Sequence, residues 1–186
     1  MININITYGE YLGLLEDEQQ DYLFLMDYGK FNDKKLVKFN YMSNKALQDY
    51  SWDFVKSLMR KYSNKDIGGC IKYIFENAGW ENYMKVEAWR VIMSVRAVLD
   101  DVEKLITMEN NALTSQFPSE YASQMEQVDF SMFDQEYFQL NDLAGGDITK
   151  FETIKNMPYK DCFVQLLYIF KNNEFQKLVM KSTTKS

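Results

Sequence analysis

Two acidic runs hold the residues of this chain best typed for chemistry: Asp100, Asp101 and Glu103 in one, Glu16, Asp17 and Glu18 in the other. Grouped Asp and Glu side chains bind magnesium or exchange protons without a histidine. Histidine is absent from all 186 residues, which removes histidine-based nucleophilic triads and the Glu-x-x-His ligand pattern of di-metal helical bundles. The two runs therefore read as solvated acidic faces. The expectation is no catalytic residue, no metal and no cofactor. Gly68-Gly69 and Gly145-Gly146 lack the lysine and the strand-to-helix setting of a phosphate-cradling loop. Cys70 and Cys162 lack the partner spacing of a zinc or redox motif and read as buried thiols.

The stretch Tyr50, Trp52, Lys56, Arg60, Lys61 and Tyr62 interleaves aromatic and basic residues as a base-stacking platform would. Its aromatics recur at helical spacing, so core packing is the preferred reading. Charge is segregated along the chain. Residues 1–28 hold six acids and no base, 29–96 thirteen bases and seven acids, 97–147 eleven acids and only Lys104 as a base, and 148–186 seven bases and three acids. Such blocks either pair on folding or present opposed faces to different neighbours. The net charge of −6 disfavours bare nucleic-acid binding, which needs a concentrated basic surface.

Only two prolines and eight glycines interrupt the chain, leaving long stretches open to helix. The expected fold is all-α, an irregular multi-helix bundle around a long central helix over about 82–108, with a short N-terminal strand from the alternation of Ile2, Ile4 and Ile6. Thr7 and Glu10 have capping-box spacing and start a first helix. An apolar patch at Tyr22–Met26 ends at Gly29. Ser43 is expected to cap a helix carrying Leu47, Tyr50, Phe54, Leu58 and Tyr62, and Asn64 the next one, with Ile67, Cys70, Ile71, Ile74 and Phe75. Arg96 and Asp100 have ion-pair spacing on the long helix, and Arg96 could instead anchor an anionic partner. Residues 107–119 form a polar break, a soft boundary within what is otherwise read as one helical domain over 1–186. Asp129 is expected to cap a helix closed by Gly145-Gly146. Asn156 is expected to cap a final helix with Pro158 in its first turn, running on to Leu178 and Met180.

Residues Gly146-Asp-Ile-Thr-Lys-Phe151, then Ile154, Met157-Pro-Tyr159 and the apolar helix through Tyr168 to Glu174 resemble small helical proteins of tailed-phage structural gene clusters. The likeness is to tail-assembly chaperones and virion connector proteins. It implies a non-enzymatic role in building or joining parts of a virion, with no catalytic residues to carry over.

Residues 1–7 have no signal-peptide pattern, and no run approaches the ~18 apolar residues a membrane span needs. The cytoplasm of the producing cell or a virion is the expected location. The functional expectation is a structural or assembly protein that binds other protein subunits through aromatic patches beside acidic segments. Its candidate contacts are Tyr22, Phe24 and Met26, and Asp129, Phe130, Phe133, Asp134, Glu136, Tyr137 and Phe138. The alternative is an acidic inhibitory protein that occupies another protein's basic, nucleic-acid-binding surface.

Overall fold

The computed structural model describes residues 5–28, 46–77, 83–114 and 134–183, with side chains of the second helix described through Leu23. Among these residues the fold is all-α, with eight α-helices, three short 3-10 turns and no strand. The chain divides into two compact units, Met1–Lys45 with Leu58–Glu103, and Ala46–Ser57 with Lys104–Ser186. The chain passes between the units at three places, the last of them between Glu103 and Lys104 inside a helix.

In the first unit, α1 (Tyr8–Leu12) starts on a reciprocal capping box. Glu10 N donates to Thr7 Oγ1 at 3.2 Å and Thr7 N donates to Glu10 Oε2 at 2.7 Å, satisfying two backbone donors the helix leaves free. Thr7 N and Thr7 Oγ1 both donate to the Glu10 carboxylate, which holds its pKa below the ordinary value. Thr7→Ala is expected to lower the unfolding free energy by about 0.5–2 kcal/mol, read from urea unfolding curves. The acids of α2 (Glu16–Tyr28) fill its first turn, where carboxylates oppose the helix dipole. Glu18 Oε2 accepts from Leu15 N at 3.0 Å, so this run caps a helix.

The expected N-terminal strand lies mostly outside the described residues. What is described is one antiparallel bridge, Thr7 to Glu87, in which Tyr8 N donates to Val86 O at 2.7 Å and Ala88 N to Ile6 O at 2.8 Å. Around it pack Tyr8, Tyr11, Tyr22, Phe75, Trp89, Val91 and Val95, with the Tyr11 and Tyr22 rings 5.3 Å apart. α4 (Ile67–Asn77) is capped by Asp66, whose Oδ1 accepts from Gly69 N at 2.8 Å, and not by Asn64. Lys65 takes a left-handed turn at φ 60°, so the helix starts two residues later than an Asn64 cap would place it. Gly69 leaves room for that cap, since a Cβ there would meet Asp66 Oδ2 at 1.9 Å.

The expected Ser43 cap lies outside the described residues, and from residue 46 the helix expected there is a 3-10 turn (Leu47–Asp49), an extended Tyr50, and α3 (Trp52–Ser63). The cause is a non-local bridge between Ser51 and Pro158. Trp52 N donates to Met157 O and Tyr159 N to Tyr50 O, both at 2.8 Å, so the backbone there is used across the fold instead of along a helix. Ser51 Oγ accepts from Phe54 N at 3.3 Å and takes over as the cap.

α5 (Ala88–Leu113) is 26 residues, about 39 Å at 1.5 Å per residue. It starts later than 82 and continues past 108 to Leu113, into the expected polar break, whose residues 115–119 lie outside the described residues. Besides Trp89, its buried positions are one stripe, Ala88, Val91, Val95, Val102, Leu105 and Glu109, and Asn110 and Asn111 sit on its exposed side without ending it. α6 (Gln135–Ala144) is capped by Asp134 and closed by Gly145 and Gly146 at φ 62° and 83°, left-handed conformations that glycine adopts without strain. The Asp129 cap lies outside the described residues. α7 (Phe151–Lys155) is closed by Asn156, and α8 (Tyr159–Thr183, 25 residues) follows Pro158 directly. α6 packs against both α7 and α8.

Candidate functional site

α8 is apolar on two opposite faces, and only one of them is buried. Tyr159, Cys162 and Leu166, at spacings of three and four, pack inward. Val164, Tyr168, Phe175, Leu178 and Val179 fall within about 100° of arc on the other side of the helix. All five are exposed, the first three at 64%, 66% and 59%. The stripe runs about 22 Å along the axis at 1.5 Å per residue. An apolar helix face normally turns to a core, and this one is exposed.

Beneath the opposite face, four polar side chains converge in the second unit. Glu109 is 4% exposed and Lys56 8%. Glu109 Oε1 accepts from the Lys56 ammonium and from Gln139 Nε2 at 2.7 Å, and Oε2 accepts from Tyr159 OH at 2.7 Å. The ammonium lies 4.8 Å from the centre of the Trp52 ring, which stacks on Tyr159 at 5.5 Å. Burial pulls the Lys56 pKa down while the Glu109 carboxylate pulls it back up, and burial next to that carboxylate raises the Tyr159 hydroxyl. A lysine so shifted is the type of group that forms covalent adducts with carbonyls. Here it is closed off and fully engaged with Glu109, and the cluster acts as a polar tie between α3, α5, α6 and α8.

The expected contact residues are distributed differently from the sequence reading. Tyr22 is fully buried against Tyr11 and is not available to a partner. Asp134 caps α6, its Oδ1 accepting from Tyr137 N at 2.8 Å. Glu136 is half-buried, and its charge helps hold up the Lys56 pKa. Tyr137 is half-buried edge-on to Phe151 at 5.6 Å, and among the described side chains of this group Phe138 alone is apolar and exposed. Phe24, Met26, Asp129, Phe130 and Phe133 lie outside the described side chains. The structure thus brings Glu136 and Tyr137 into the fold and, among the described residues, leaves the outer face of α8, which the sequence reading did not single out, as an exposed apolar surface.

Trp52, Lys56, Tyr62 and Arg60 follow the helical spacing that favoured core packing. Trp52 is fully buried, and Tyr62 OH donates to Glu103 Oε2 at 3.4 Å. Cys70 and Cys162 are both free and buried. Burial pushes the Cys162 thiol up to about 11 from an ordinary 9.0. Burial likewise pushes Tyr22 up to about 12 from 10.0, against a backbone hydrogen bond from Trp89.

Both groups keep in the folded chain a proton that the unfolded chain gives up. The stability this represents is fully present below pH 9.0, and it is lost as pH rises through about 11 for Cys162 and about 12 for Tyr22. The urea midpoint should therefore fall between about pH 8 and about pH 11, and Tyr22→Phe should flatten part of that fall.

Among the described residues no helix is long and apolar enough to cross a membrane, and no three Asp, Glu or Cys side chains converge as a metal would require. Comparison with protein-family models, curated proteins and solved structures gave no match.

Proposed function

We propose that this chain is a non-enzymatic structural or assembly protein that binds other protein subunits, with α8 as its docking helix. The observation that carries the reading is the pair of opposed apolar faces on α8, one used by the chain's own core and the other exposed. Helices that dock in this way offer anchors about three, four and seven residues apart, and Val164, Tyr168, Phe175, Leu178 and Val179 keep that register. Each such side chain, once buried, contributes about 1.5–3 kcal/mol. The likeness of residues 146–174 to tail-assembly and connector proteins makes a phage particle the proposed setting. The inhibitor alternative needs an unbroken acidic face. Lys104 counts against it, because it falls between Asp100 and Asp101 around α5.

Val164→Asp combined with Phe175→Asp is expected to abolish stoichiometric co-purification with the partner subunit from the producing cell. The urea midpoint should stay close to the wild-type value, because both positions are exposed. Co-purification that survives the double change would end the proposal.

A further inference from the structure

Lys56 is closed off from carbonyls outside the fold, but it shares a carboxylate oxygen with an amide inside it. Glu109 Oε1 accepts from the Lys56 ammonium and, at 2.7 Å, from Gln139 Nε2. Two donors on one carboxylate oxygen sit about 4–5 Å apart, so amine and amide are neighbours with a proton carrier between them. Lys56, Glu109 and Gln139 are all buried, and all belong to the second unit. Gln139 Oε1 is itself buried and has no hydrogen-bond partner among the described residues, whereas buried carbonyls are nearly always paired. That oxygen is open to the charge that builds on it when a nucleophile adds to the carbonyl. The Trp52 ring, 4.8 Å from the ammonium and stacked on Tyr159, shields this side from water.

We propose that Lys56 and Gln139 join in an intramolecular isopeptide bond, with Glu109 as the proton carrier and ammonia as the leaving group. Glu109 Oε1 first takes one proton from the Lys56 ammonium. The neutral Nζ attacks Gln139 Cδ, and the Cδ–Nε2 bond breaks as Glu109 hands its proton to Nε2. The spare Nζ proton passes to Glu109 and ammonia departs, so no oxidant or cofactor is consumed. Burial lowers the Lys56 pKa and so favours the attacking neutral amine, against the pull of Glu109 and Glu136. Tyr159 OH, donating to Glu109 Oε2 at 2.7 Å, holds the carboxylate in place. Amines attack amides very slowly in water, but fixed neighbours react as if at about 10⁵–10⁸ M. A positioned acid-base group adds about 10²–10⁴-fold. Attack needs the amine about 3–3.5 Å from the carbon, closer than the hydrogen-bonded arrangement, so the bond forms slowly after folding and the ion pair is its precursor. It ties α3 to α6 across 83 positions (139 − 56).

The intact mass of the full-length wild type, measured fresh and after prolonged incubation at neutral pH, tests this. It should fall by about 17 Da, the mass of ammonia, and tryptic digestion of the denatured chain should release one branched peptide joining Lys56 to Gln139. Lys56→Met and Glu109→Gln should keep their full mass, with circular dichroism to show that they fold. Wild type that keeps its full mass and yields no branched peptide would overturn the inference, whatever the variants do. An equal loss from Lys56→Met would overturn it too, since the ammonia would then come from another residue. Conversion of Glu109→Gln at the wild-type rate would refute the proton carrier.

Discussion

Replacing Glu109 by alanine is expected to lower the unfolding free energy by about 3–5 kcal/mol, the cost of leaving a buried charge without its partner. One carboxylate serves three donors: the Lys56 ammonium, Gln139 Nε2 and Tyr159 OH. Removing it strands all three where water does not replace it. The double change Lys56→Met with Glu109→Leu should cost clearly less than the two single changes added together, because it removes the stranded ammonium as well. The pH dependence has a definite sign. Burial already holds Lys56 below its ordinary 10.5, and the loss of Glu109 removes the charge that opposes this. In the alanine variant the unfolded chain then binds more protons than the folded chain over a wider window below 10.5, so its deficit should shrink as pH rises through that window. Urea titrations of wild type, Glu109→Ala, the two single changes and the double change at several pH values provide the check. A deficit that grows with pH would contradict the account.

Trp52→Ala is the second large effect, expected at about 3–5 kcal/mol from lost transfer energy and the cavity left behind. Trp52 is fully buried, stacks on Tyr159 and lies under the Lys56 ammonium, so the change also removes a cation–π contact worth about 0.5–2 kcal/mol. Trp52→Phe should cost less, since it keeps a ring in the stack and removes an indole Nε1 that has no hydrogen-bond partner among the described residues. Tyr168→Ala, on the exposed stripe, should fall within about 0.5 kcal/mol of wild type. Unfolding followed by far-ultraviolet circular dichroism separates these cases. Equal losses for Trp52→Ala and Tyr168→Ala would mean that Tyr168 is part of the core.

The helices were legible from apolar spacing, and the Thr7 to Glu10 cap was legible because both partners lie within one turn. Misread boundaries share a cause. The start of α3 is set by the bridge from Ser51 to Pro158, which no local window contains, and the start of α4 by a left-handed Lys65 that carries no glycine to announce it. The continuation of α5 past 107 depends on Glu109, whose partners are 53, 30 and 50 residues away. A signal for that cluster was present. Lys56 falls with Trp52 and Met59 on the inner face of α3, and Glu109 falls in register with Val102 and Leu105, so each is a polar residue at a core position.

The outer face of α8 shows the deeper limit. The sequence reading marked this helix's apolar residues and its run to Met180 but assigned none of them to a buried or an exposed face. Periodicity does not distinguish a helix enclosed by its own chain from one shared between its own core and another surface.

The most direct test of α8 as a docking helix is photo-crosslinking in the producing cell, with the reactive amino acid placed at Tyr168, at Phe175, or at Ile148 as a control that is apolar and 65% exposed but off the helix. The account predicts one discrete adduct of the same size from Tyr168 and Phe175 and none from Ile148. Adducts from Ile148 equal to those from the stripe, or none from either stripe position, would contradict it.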